Sequence, residues 1–162
     1  MRIGLAIVFY LLYWSICFLG TGTDRKNLIG LRSYPDPVQA QVRQKLAGSV
    51  PQEKSLSSVL LGNLLLFTVL FSALGLAFKR VLGLSGYWSA FWDFLIFGEG
   101  LGLFDLLVID LLWWRNTRQI RFSFLPEKEP YQDPRKHLGS FVRGIPLFAA
   151  IAALTAGIIT LF

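Results

Sequence analysis

Residues 87–114 read YWSAFWDFLIFGEGLGLFDLLVIDLLWW, an almost wholly apolar and aromatic stretch that nevertheless carries Asp93, Glu99, Asp105 and Asp110. Three other runs share its greasiness, giving four in all at about 2–20, 56–78, 87–114 and 140–162. Each reaches the roughly 18 to 20 residues that a helix rising 1.5 Å per residue needs to cross a hydrocarbon core about 30 Å thick. None alternates in polarity as a barrel strand does, so helices are the form that satisfies every backbone group in lipid. Of the 162 residues, 54% are hydrophobic and 15% aromatic, and the mean hydropathy is positive, which is too apolar for an ordinary soluble domain. The expectation is an all-α polytopic membrane protein: one membrane domain over residues 1–162, built as a bundle of four transmembrane helices.

The first run is longer than the apolar core of a secretory signal, which favours a retained span. Cys17 is the only cysteine, so one chain can build neither a disulfide nor a cysteine metal site.

Basic residues set the orientation. Residues 21–55 carry Arg25, Lys26, Arg32, Arg43, Lys45 and Lys54. Residues 115–139 and the start of the last run add Arg115, Arg118, Arg121, Lys128, Arg135, Lys136 and Arg143. Only Arg2, Lys79 and Arg80 fall on the other side. The positive-inside rule therefore places both long loops in the cytoplasm and both termini outside. A basic face toward anionic lipid head groups accounts for the net charge of +6 without any nucleic acid.

In loop one, SYPDPVQAQVRQKLAG signals a short amphipathic helix. Asp36 is a capping candidate, Pro37 suits the first turn, and Val38, Val42 and Leu46 form one apolar stripe. That stripe suits either the membrane surface or the protein's own spans. Pro51 in the following SVPQEKS stops helix before the second span. Loop three, RNTRQIRFSFLPEKEPYQDPRKHLG, has three prolines that forbid a long helix, and QIRFSF alternates as a brief extended piece would. His137, the only histidine, reads as an exposed interfacial residue there.

The acids of the third run are the candidate site. Insertion scales put an Asp at a helix centre at about +2.5 to +3.5 kcal/mol, so such groups face protein or water and are functional candidates. On a straight α-helix, Glu99 and Asp110 lie within about 20° of each other while Asp105 points about 120° to 140° away. The three do not converge, which disfavours a paired-carboxylate enzyme or a metal site, and no metal or cofactor is expected. Ion- or ligand-binding candidates are Glu99, Asp105, Asp110 and Asn63, with Arg143 as the ion-pair partner of Asp110 and Asn63 at the level of Asp105. Gly98, Gly100 and Gly102 either break the helix or let a neighbour pack close, packing being the favoured reading. In the last run, Ala149, Ala153 and Gly157 form one small-residue row and Ala152 and Ala156 a second. Such a surface suits a contact within the chain, with a second copy, or with a membrane partner.

GLRSYPDPVQAQVR, FDLLVIDLLWWR and YQDPRKHLGSFVRG are similar to segments of small bacterial integral membrane proteins with four spans, a resemblance that implies the bundle and no particular activity. The functional expectation is an acidic intramembrane site that binds a proton, a cation or a basic ligand, with a transporter subunit as its natural setting. The alternative is an accessory or scaffold protein whose acids only pair structurally. A lipid-modifying enzyme has the least support, since no convergent catalytic groups are evident.

Overall fold

The computed structural model describes residues 2–48, 50, 52 and 54–162, so Pro51 lies outside the described residues. The described residues are helical almost throughout: α1 (Arg2–Leu19), α2 (Asp24–Ile29), α3 (Asp36–Lys45), α4 (Leu56–Leu82), α5 (Tyr87–Phe104) and α6 (Arg135–Leu161). Between α5 and the second loop, Asp105–Trp114 continues as a π-helix. QIRFSF forms turns with one isolated bridge, Phe122 to Leu125, and no strand is present among the described residues.

Three stretches are long and apolar enough to cross a membrane: Arg2–Leu19, Leu56–Leu82, and Glu129–Leu161, which contains α6. The expected third span, 87–114, is not among them. Its α-helical part stops at Phe104, and Asp93 and Glu99 within that part lower its hydropathy. The second span runs past 78, through Lys79 and Arg80, and closes on Gly83 in the left-handed conformation (φ +63°), where glycine carries no Cβ penalty. The last helix begins five residues before 140. Pro134 offers its carbonyl to the Leu138 N–H and needs no donor of its own at a helix start.

The chain divides into two compact units. The first holds residues 1–8, 54–103 and 142–162. Its core centres on Phe71, fully buried, whose ring lies 5.6 Å from Phe94, 5.1 Å from Phe97 and 6.3 Å from Phe148. Small residues make the close approaches around it. Gly75 abuts Ile159 and Phe94, and a Cβ on Gly98 would sit 2.7 Å from the Phe148 ring. GEGLG is thus unbroken α-helix, and Gly98 serves packing. At one end, Arg2 pairs with Asp93 at 3.1 Å and donates to the Leu82 carbonyl, while Lys79 donates to the Ile159 carbonyl at 3.0 Å, complementing the negative end of α6.

The second unit holds residues 9–53 and 104–141. Its core is built from the two loops: Leu31, Tyr34, Val38, Val42, Trp114, Ile120, Phe122, Leu125 and Tyr131. The apolar stripe of α3 is spent here, with Val38 and Val42 fully buried, so it docks on the chain itself and not on a membrane surface. Asp36 lies in the first turn of α3 with Pro35 as its N-cap, and its carboxylate takes Lys136 at 2.7 Å. Several polar groups are satisfied between the loops, as burial favours. The Tyr34 hydroxyl donates to the Ile120 carbonyl (2.8 Å), Asn27 donates to the Gln119 carbonyl (3.2 Å), and Asp24 accepts from the Ser123 N–H (2.8 Å). Burial pushes the Tyr34 phenol above its ordinary range, which keeps it a donor at any physiological pH.

Gly98→Ala tests the packing role of GEGLG. The new methyl forces Phe148 to shift, and the expected cost is about 1–3 kcal/mol, read as a lower thermal midpoint in detergent. Gly62→Ala is the control, because a Cβ there meets nothing within 4 Å and its midpoint is not expected to fall.

Candidate functional site

The winding of residues 105–114 decides where their acids point. An i→i+5 ladder turns the chain by roughly 80° per residue, not the 100° of an α-helix, so Asp105 and Asp110 end roughly 40° apart. The Arg115 N–H closes this ladder on the Asp110 carbonyl at 3.3 Å. Burial follows the same winding. At roughly 80° per residue, Leu106, Ile109 and Trp114 share about a third of the circumference with both aspartates, while Leu107, Val108 and Leu112 occupy the opposite side. The first three are buried and the last three exposed. At 100° per residue the inner positions would instead spread over about half the circumference, with the two acids about 140° apart. The expectation that Asp105 points away from Asp110 is therefore corrected: the π-helix puts both on its inner side.

Each of the two has a neighbour within the second unit. Asp110 Oδ1 lies 2.9 Å from His137 Nδ1, and the pair is largely enclosed, with the His137 side chain only 5% exposed. The partner assigned from sequence, Arg143, is exposed on α6. The reading of His137 as an exposed loop residue is corrected too, since it depends on a last helix that begins at 140. That helix starts at Arg135 and carries the imidazole inward on its first turn. The Trp114 ring packs edge-on against the imidazole, with centroids 4.8 Å apart. Tyr13 and Cys17 lie near Asp105, close enough for their electrostatics to interact. Rings hold this arrangement in place: Trp113 lies against Trp14 at 6.3 Å and Phe18 at 5.9 Å, and Phe104 against Tyr10 at 5.5 Å.

Five groups that exchange protons thus lie near one another: Cys17, Tyr13, Asp105, Asp110 and His137, of which Asp110 and His137 are in direct contact. His137 Nε2 is buried and without a hydrogen-bond partner among the described residues. Carboxylate contact at Nδ1 orients an imidazole and fixes which nitrogen is left for other chemistry. Sequence reasoning does not bring Tyr13, Cys17 or His137 to the site. A signal does exist for His137, in the DP pair at 133–134 shortly before it: the Asp133 carboxylate accepts from the Arg135 N–H at 3.0 Å, a helix start two residues upstream of the histidine.

The remaining candidates lie in the first unit. Glu99 is half-buried on α5, with Oε1 enclosed and unpaired among the described residues, and Asn63 is half-buried on α4. Among the described residues no group of three or more His, Cys, Asp or Glu side chains is arranged to hold a metal ion. No family model, no curated protein and no solved structure matches the chain.

His137→Phe keeps a ring against Trp114 but leaves the Asp110 carboxylate without its donor. Unfolding free energy in detergent is expected to fall by about 1.5–3 kcal/mol. Adding Asp110→Leu is expected to recover most of that loss, because removing both partners is cheaper than orphaning one. Additive losses in the double variant would show that the two side chains are not coupled.

Proposed function

We propose that the chain is a small integral membrane protein that takes up and releases a proton at the Asp105–Asp110 pair, as a proton-coupled transport component. In this reading α5 and the π-helical stretch together make a fourth crossing, both termini lie outside, and the two long loops lie in the cytoplasm. The single observation that carries it is the placement of two aspartates on one inner face, one of them against a buried imidazole whose Nε2 no described residue meets. Two adjacent negative charges away from bulk water are costly, and one shared proton removes much of that cost. A proton fits better than a multivalent cation, because the neighbouring groups are a phenol, a thiol and an imidazole and not further carboxylates. His137 sits on the first turn of α6, beside the loops, where it connects the pair to the cytoplasmic side. Exposed Arg25, Arg43, Lys45, Arg118 and Arg135 suit anionic lipid head groups at that surface.

A second reading has its own support. Trp114 belongs both to the core of the loop unit and to the His137 contact, so the pair can serve as an anchor for that unit in a scaffold protein. The two readings separate in one experiment. Proteoliposomes holding the purified protein and an internal pH dye are expected to show proton movement under an imposed potential. Asp105→Asn is expected to remove it while leaving the thermal midpoint within a few degrees of the parent. Equal flux in the parent protein and in protein-free vesicles would sink the transport reading and leave the anchor.

A further inference from the structure

We infer that the outward face of α5 seats against the outward face of α6 in a second copy of the chain, with Glu99 of one copy paired to Arg143 of the next. This rests on α5 crossing the membrane and is independent of the proton-binding role.

The angular position of Glu99 on α5 turns it outward. At about 100° per residue, Trp88, Trp92, Ile96 and Leu103 fall within about 80° of one another, and Glu99 lies inside that arc. Those four are among the exposed large hydrophobic residues, while Ala90, Phe94, Gly98 and Leu101, on the opposite side of α5, are buried in the first unit. Glu99 is therefore turned away from the core of its own chain. It lies roughly 18 Å along the helix from Tyr87, deep in the hydrocarbon, where a carboxyl needs company. Its Oε1 is covered by its own chain, and Oε2 is the oxygen left open to a second copy.

The complementary group is in the same unit. Arg143 is exposed and, among the described residues, makes no ion pair. By the same winding it shares the outward arc of α6 with Ala150, Leu154 and Gly157, while Phe148, Ile151, Ala152, Thr155, Ala156 and Ile159 face the core. Of the two small-residue rows, Ala152 and Ala156 are thus consumed within the chain. The row ending in Gly157 is open, since a Cβ there meets nothing within 4 Å. Small residues on an open face let a second helix approach closely.

Depth agrees as well. Gly98 abuts Phe148, which ties the level of α5 to that of α6. Counting back along α6, Arg143 lies roughly 6 Å to the cytoplasmic side of Glu99, a gap that an extended guanidinium spans. Because the contact joins two different faces, it is heterologous and closes into a ring or continues as a row.

The test uses a Cys17→Ser background and two differently tagged copies expressed together, one carrying Glu99→Cys and the other Arg143→Cys. A short bis-maleimide applied to membranes is expected to join the two tags. Glu99→Lys and Arg143→Glu are each expected to weaken self-association in detergent roughly tenfold, and the double variant to restore it. Absence of the 99-to-143 product, or a product joining the introduced thiol at position 99 to a different protein, overturns the interface. Ile96→Cys separates the premise from the proposal. Labelling of that thiol in intact membranes by a charged maleimide would show α5 outside the bilayer and overturn both, whereas an unlabelled thiol with no cross-link overturns only the interface.

Discussion

The cost of removing a carboxylate from water governs the arrangement of this chain. In hydrocarbon the penalty is a few kcal/mol per acid, comparable to a sizeable part of a small protein's net stability. Asp105 and Asp110 could not share one inner face on an α-helix, because five residues at 100° leave them about 140° apart. Winding the segment as a π-helix removes that conflict. It also sets Leu107, Val108 and Leu112 opposite the acids, giving the segment one polar inner side and one apolar outer side. The wider ladder is rare, and here it turns Asp110 to the His137 imidazole, 2.9 Å away.

The same constraint ties the loops to the segment that carries the acids. Trp114 ends the π-helix and enters the core formed by Tyr34, Val38, Val42, Phe122 and Tyr131, while its ring also lies on His137. Hydrogen bonds of Asn27, Tyr34 and Tyr131 tie the loops into the unit that holds that tryptophan. The imidazole is thereby placed twice, by Asp110 at Nδ1 and by an aromatic wall. Packing within the loops and the aim of the imidazole are one structural problem.

Much of this is legible from sequence and some is not, for physical reasons. The long apolar runs announce helices because lipid admits few other forms, and α3 is visible in its Pro37 and its valine spacing. Which surface α3 covers is not legible, because period alone does not name the partner of a stripe. The inner side of 105–114 escapes a sequence count because such a count assumes 100° per residue, and nothing in DLLVIDLLWW states the winding. His137 escapes it because Gly139 looks like the end of a loop. The Asp-Pro pair before Arg135 is the stronger helix start, since proline lacks the N–H that a helix start leaves unsatisfied and the preceding carboxylate caps.

The four acids of the stretch 87–114 do not meet the burial problem in the same way, and the differences locate function better than any one of them does. Asp93, near the start of α5, is met at Oδ1 by Arg2, a pair that fastens one end of the first unit, while its Oδ2 is enclosed without a partner among the described residues. Asp105 lies near a phenol and Asp110 is met by an imidazole, groups that themselves donate and accept protons. Glu99 has an oxygen without a hydrogen-bond partner among the described residues. In the proposed reading, the acid paired with a fixed cation is a fastening, the acids beside titratable neighbours bind the proton, and the acid on the outward face meets a second copy. Along the chain the outward acid comes between the ion pair that holds the start of α5 and the two acids on the inner side of the π-helix, and in the proposed assembly Arg143 of a neighbouring copy is the group that reaches it.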